Sequence, residues 1–130
     1  MSISLTFKLF VLASISVVHY QTDQETALNW LQNHKWYIGE IKQEKSTTLI
    51  TGSLKEMYWF KFHEDGTYSA MFQGDLSAGT YSYLHKSSQL EMHFEPYGTD
   101  ILDIYFEDAN HMQLKGKIYG NDGSMKLYTE

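Results

Sequence analysis

Histidines and acids are the side chains in this sequence best suited to metal binding or acid–base work, and their spacing decides whether they can act together. His34, His63, His85, His93 and His111 fall on separate segments, with no i, i+2 pair on one strand and no His-x-x-x-His turn of helix. A zinc-type ligand set is therefore not encoded locally. His63 and His111 fall at hairpin ends, where a polar side chain is simply solvated. Glu91, Glu95, Asp100, Asp103, Glu107 and Asp108 give the later segments a negative outer surface, which serves solubility without requiring a calcium site. A paired-carboxylate hydrolase needs two acids on an inner face, and alternation points Asp103 and Glu91 outward. Cysteine is absent, no Gly-x-Ser-x-Gly elbow occurs, and the serines cluster in turns, so nucleophilic catalysis has no visible agent. Phosphate-cradling glycine runs are missing too. These features predict a protein without enzymatic activity, metal or cofactor.

What remains is ring surface. Ten Tyr, seven Phe and three Trp are too much aromatic area for a disordered chain. Tyr58, Phe60, Phe62, Tyr68, Phe72, Tyr81 and Tyr83 recur at a spacing of two within short segments. Rings so placed share one face of a sheet, where they either line a cavity for an apolar ligand or fill it with no void left.

Charge narrows the partners. Sixteen acids oppose ten lysines for a net charge of −6, and there is no arginine, the fork that grips phosphates and guanine edges in pairs of hydrogen bonds. Nucleic acid is excluded as a partner, and an anionic membrane surface is disfavoured for the same reason. The 130 residues supply material for one domain.

The elements that must position these rings follow from periodicity. Lys8 precedes the apolar stretch Leu9 to Val18, which ends at His19-Tyr20-Gln21. That is the length of a secretory signal and shorter than a spanning helix, so residues 1–20 are expected to be a cleavable signal peptide. Residues 21–130 are then the mature domain, secreted or periplasmic, with no stable membrane insertion after processing. Gln24 to His34 carries a helical pattern, with Ala27, Leu28 and Leu31 on one face, Trp30 beside them and Asp23 able to cap the start.

From Lys35 onward the period becomes two. Trp36 to Glu40, Met57 to Phe62, Tyr68 to Phe72, Tyr81 to Tyr83, Leu90 to Phe94, Leu102 to Phe106, Met112 to Ile118 and Met125 to Leu127 predict about eight strands. Glu64-Asp65-Gly66 and Asn121-Asp122-Gly123 offer the positive-φ glycine of tight turns, and Lys86-Ser87-Ser88 and Asp108-Ala109-Asn110 are polar. All are too short for a crossover helix, so neighbours run antiparallel. The predicted fold class is all-β: a small antiparallel up-and-down β-barrel of about eight strands behind a short N-terminal helix. Lys45 to Ser53, poor in apolar residues, is expected to be a loop at the barrel mouth.

Leu31-Gln-Asn-His-Lys-Trp-Tyr-Ile-Gly-Glu-Ile41 resembles the helix-to-strand opening of the lipocalin-like domains common in secreted bacterial proteins. Phe62-His-Glu-Asp-Gly-Thr-Tyr68 is similar to their Phe-x-x-Asp-Gly-Thr-Tyr hairpin, and Gly79-Thr-Tyr-Ser-Tyr83 to the strand that follows. Lipocalins in the strict sense carry glycine two residues before the tryptophan, where this chain has His34, so the resemblance is to the looser lipocalin-like group. It implies a barrel, Trp36 as the residue that closes one end, and a small apolar ligand.

Two functions are compatible with these features. In one, the barrel holds a small hydrophobic molecule in its interior or mouth, with Trp36, Tyr58, Phe60, Phe62, Tyr68, Phe72, Tyr81 and Tyr83 as the ligand-binding residues. In the other, the barrel is filled and contacts a protein of the cell envelope through large apolar residues on the face meant for water: Tyr37, Trp59, Met71, Tyr105, Tyr119 and Tyr128.

Overall fold

A computed structural model describes residues 22–94, 98–118 and 121–130, so the expected signal segment at 1–20 and Tyr119 lie outside the described residues. Helix α1 (Gln24–Asn33) starts where Asp23 accepts the Thr26 backbone N–H at 2.9 Å, filling one of the donors that a helix start leaves open. Ala27 and Leu31, one turn apart, bury the same face, and at His34 the backbone becomes extended.

Among the described residues nine strands follow: β1 (Lys35–Gln43), β2 (Ser46–Leu49), β3 (Tyr58–Phe62), β4 (Thr67–Phe72), β5 (Asp75–Leu84), β6 (Gln89–Phe94), β7 (Gly98–Asp108), β8 (His111–Ile118) and β9 (Asn121–Tyr128). From β3 to β9 each strand pairs antiparallel with the next, and β9 returns to β1, which pairs with β3. Eight strands thus close a barrel. Short β2 is an addition to that ring.

β1 explains why an extra strand exists. Its Lys35–Tyr37 half pairs with β3, while Glu40–Gln43 on the same edge would be left open and is covered by β2 instead. Between β2 and β3 the chain swings out in a 3-10 turn (Gly52–Met57). The segment 45–53, expected as a loop, is therefore partly strand. All four β2 side chains are exposed, so its pairing is carried by main-chain hydrogen bonds and the β-branched Thr47 and Thr48, with no apolar alternation to announce it.

A β-bulge makes a second departure from simple alternation. Lys126 pairs with Glu40 but Leu127 pairs with Ile38, which leaves Gly39 as the extra residue. Trp36 and Ile38 point inward, and the bulge resets the phase so that Ile41 points inward as well.

The turn chemistry holds at one site and shifts at another. Gly66 has φ +88°, and Asp65 Oδ1 accepts both the N–H and the hydroxyl of Thr67, at 2.9 and 2.6 Å. Asn121-Asp122-Gly123, by contrast, is strand, with Asn121 paired with Ile118. Gly123 is needed there for a different reason, because a Cβ on it would lie 2.7 Å from the Lys42 carbonyl oxygen. Gly79 is still more confined. A Cβ there would meet the His93 carbonyl oxygen at 2.2 Å and the Tyr68 ring at 2.7 Å, so the missing side chain is what lets Tyr68 lie across β5.

Inside, one apolar cluster runs through the barrel, from Leu31, Trp36 and Ile38 round to Leu102, Leu114, Met125 and Leu127. Its rings touch in sequence: Phe60 stacks on Phe62 at 5.8 Å, Phe62 meets Tyr81 edge-on at 5.1 Å, and Tyr68 meets Phe94 edge-on at 5.9 Å.

Candidate functional site

The two ends of the barrel are built differently. At one end α1 lies over Trp36, whose indole N–H donates to the Leu31 carbonyl at 3.1 Å, so the tryptophan satisfies an open acceptor of the helix end while filling the barrel. Trp30 packs edge-on against Phe106 at 5.6 Å. The Tyr81 hydroxyl donates to the His63 carbonyl at 2.6 Å and accepts from the Gln32 amide at 2.7 Å, tying β5 to both the β3–β4 turn and the helix. Lys61 donates to the Gln32 carbonyl at 2.7 Å. Burial pushes the phenol pKa of Tyr81 and Tyr83 above the ordinary tyrosine value, as befits groups held neutral in a packed end. Tyr83 is further held by a hydroxyl contact of 3.2 Å with His85 Nδ1.

At the other end the side chains leave a recess. Ile41 and Gln43 from the end of β1, Thr48 from β2, Tyr58 from the start of β3, Phe72 from the end of β4, Gln73 from the turn after it and Asn121 from the start of β9 enclose about 270 Å³. Tyr58 and Phe72 stand opposite each other across the β3–β4 ladder, their rings edge-to-face at 5.4 Å. Ile41 faces this pair only because of the bulge at Gly39. The floor is apolar, and the rim carries carboxamides and a hydroxyl that both donate and accept. Among the described residues no charged side chain lines the recess. Ser77 sits on the inward register of β5 opposite Ala70, one inward pair deeper than Phe72. Its hydroxyl is shielded from water and has no hydrogen-bond partner among the described residues.

The eight ring residues expected to bind a ligand therefore fall into three groups. Trp36, Phe60, Phe62 and Tyr68 are buried deep in the core, and Tyr81 and Tyr83 close the helix end. Tyr58 and Phe72 alone reach the recess. Thr48 belongs to the segment 45–53 expected at the mouth, whereas Ile41, Gln43, Gln73 and Asn121 were not expected there. Strand ends and a turn supply them, where polar residue types carry no periodic signal.

The outward rings also differ from the sequence expectation. Tyr37 points away from the interior yet is only 8% exposed, because the 3-10 turn and the C-terminus fold over it. Its ring lies 5.7 Å from that of Tyr128, its hydroxyl donates to Glu56 Oε2 at 3.0 Å, and the Lys55 ammonium sits 5.2 Å from its centroid. The Trp59 indole donates to the Glu56 carbonyl at 3.1 Å beneath the Lys35 ammonium, 4.5 Å from the ring. Lys55 closes the cluster through an ion pair with Glu130. The Tyr37 hydrogen bond holds the Glu56 carboxyl below its usual range, and burial raises the Tyr37 phenol. Three of the six rings and side chains expected to face water are thus partners of one another, whereas Tyr105 is 54% exposed.

Among the described residues no group of three or more His, Asp or Glu is placed to share a metal ion, and no helix is long and apolar enough to cross a membrane. No protein-family profile and no curated protein matches the chain. Among solved structures it is similar to a DUF4847 family protein from Bacteroides vulgatus, with a TM-score of 0.56 and 12% identity over 77% of this chain and 94% of that one. At that identity the likeness speaks for the fold alone.

Proposed function

We propose that this barrel of the lipocalin-like kind is an exported binding protein, not an enzyme, and that it holds a small apolar group in the recess at its mouth. The observation that carries this reading is the pairing of an apolar floor (Ile41, Tyr58, Phe72) with a neutral hydrogen-bonding rim (Gln43, Thr48, Gln73, Asn121), the arrangement by which binding sites combine affinity with orientation. A recess of about 270 Å³ is at the small end of ligand sites, which fits a single ring or a short chain and not a large lipid. The unpartnered Ser77 hydroxyl supports the same reading, since a shielded polar group of that kind is normally met by water or ligand. Trp36, Phe60, Phe62, Tyr68, Tyr81 and Tyr83 then act as the packed core and plug of the barrel, while Tyr58 and Phe72 touch the ligand. Export rests on the apolar stretch Leu9 to Val18 behind Lys8.

The second reading, a filled barrel that docks on an envelope protein, draws on Ile101 and Tyr105, both exposed on the outer face of β7. The internal pairing of Tyr37, Trp59 and Tyr128 reduces the surface available to it.

Calorimetric titration with 1-octanol separates the two. Binding by the parent protein, lost in Thr48→Tyr without a change in melting temperature, is the expected result, because residue 48 is an exposed lip position whose enlargement fills the recess. An octanol affinity equal in the two proteins would place the ligand elsewhere. No binding in either would leave the docking reading.

A further inference from the structure

The hairpins around the mouth carry a feature that the apolar recess does not use. Lys42, Lys45, Lys115 and Lys117 line one cleft of about 850 Å³ between the β1–β2 turn and the β8–β9 hairpin. Register explains the grouping. Ser124 pairs with Lys42 on one side and Lys115 on the other, so both stems rise from one outer row, and Lys117 stands across from Asp122 with its ammonium 3.8 Å from the carboxylate. Among the described residues no carboxylate lies within ion-pair distance of Lys42, Lys45 or Lys115. In a chain with sixteen acids against ten lysines, gathering four lysines here against Glu44 and Asp122 reverses the local sign of charge.

The cleft and the recess share Gln43 and Asn121 as walls, so they lie on either side of one rim. Each has what the other lacks. Among the described residues the recess has rings and an isoleucine but no charge, and the cleft has four ammonium groups but no ring or aliphatic side chain apart from the lysine stems. Resting on the mouth-binding reading, we infer that the ligand is an amphipathic anion, with its apolar part in the recess and its negatively charged head carried over the Gln43–Asn121 rim onto the lysines.

The test compares octanoate with 1-octanol, which share a chain and differ in head group, by calorimetry at low salt and at high salt. The parent should bind octanoate roughly tenfold more tightly at low salt, since exposed ion contacts each add only a little, and the gap should close as salt screens them. The triple variant Lys42→Gln, Lys115→Gln, Lys117→Gln should bind octanol as the parent does and octanoate no better than octanol. Equal affinities for the two ligands in the parent would overturn the inference and leave the mouth reading standing, whereas binding of neither would remove both. A preference for octanoate that survives in the triple variant, or in Thr48→Tyr, would also overturn it. So would acetate binding as tightly as octanoate, or capture by phosphatidylglycerol vesicles without binding of monomeric octanoate, because the lysines would then serve a bare anion or a membrane surface.

Discussion

Phe62→Ala tests whether the barrel below the mouth is filled. Phe62 is fully buried, and its ring meets those of Phe60 at 5.8 Å, Tyr68 at 6.3 Å and Tyr81 at 5.1 Å. Returning the buried ring to water in the unfolded state removes about 2 kcal/mol of transfer free energy. If the neighbours relax only in part, a void on the order of 80 Å³ adds about 2 kcal/mol at ~24 cal/mol per Å³. The expected loss is therefore about 4 kcal/mol, which for a domain of this size is a fall of roughly 15 °C in melting temperature. Urea unfolding followed by tyrosine and tryptophan fluorescence measures it, with an unchanged slope showing that the same surface is exposed. The new void is apolar and dry, so benzene should restore part of the lost stability to the variant and add nothing to the parent. A loss of about 2 kcal/mol or less would mean that Phe62 already borders an empty cavity, where truncation costs transfer alone and no new void. The filled-interior reasoning would then be wrong.

Other perturbations probe separate joints. Gly79→Ala should destabilise the barrel by about 1–3 kcal/mol and disturb the near-ultraviolet signal of Tyr68, because its methyl would meet a backbone carbonyl, while Gly52→Ala, with nothing within 4 Å, should be neutral in the same melt. Acid should weaken the fold through Asp23 and Asp108. The Thr26 N–H holds Asp23 below the usual carboxylate range, and the His111 ring does the same for Asp108. A carboxyl depressed in the folded state contributes stability that is complete above its unfolded pKa and lost as pH falls through its folded one. The urea midpoint should therefore fall on acidification below about pH 4, less steeply in Asp108→Asn than in the parent. Equal slopes would show that the His111 contact is not kept in solution. Asp23→Ala should lower the helical circular dichroism without unfolding the sheet, and an unchanged helical signal would show that the cap is dispensable.

Much of the barrel was legible because alternation is a direct imprint of a sheet with one buried face: Leu90, Met92, Phe94, Leu102 and Ile104 are all buried where period two puts them. The helix was legible through its cap and through Ala27 and Leu31. Three features were not. β2 hides because its side chains are exposed and its main chain does the pairing. Ile41 was invisible as an inward residue because a single bulge at Gly39 inverts the phase of β1 beyond it. Tyr37 looked like a water-facing ring because the segment that covers it, Gly52–Met57, folds back from outside the strand pattern. The site suffered most. Alternating rings describe a lined barrel and a filled barrel equally well, and Ile41, Gln43, Gln73 and Asn121 come from strand ends and a turn where neither periodicity nor composition marks them.

Resonance assignments of Ile41, Tyr58, Phe72, Trp36, Phe62 and Tyr81, followed while 1-octanol is added, test the central claim most directly. Saturable shifts confined to Ile41, Tyr58 and Phe72, with Trp36, Phe62 and Tyr81 unmoved, are the predicted result. Shifts centred on Phe62 and Tyr81 instead, or none at any octanol concentration, would contradict a ligand site at the mouth of a filled barrel.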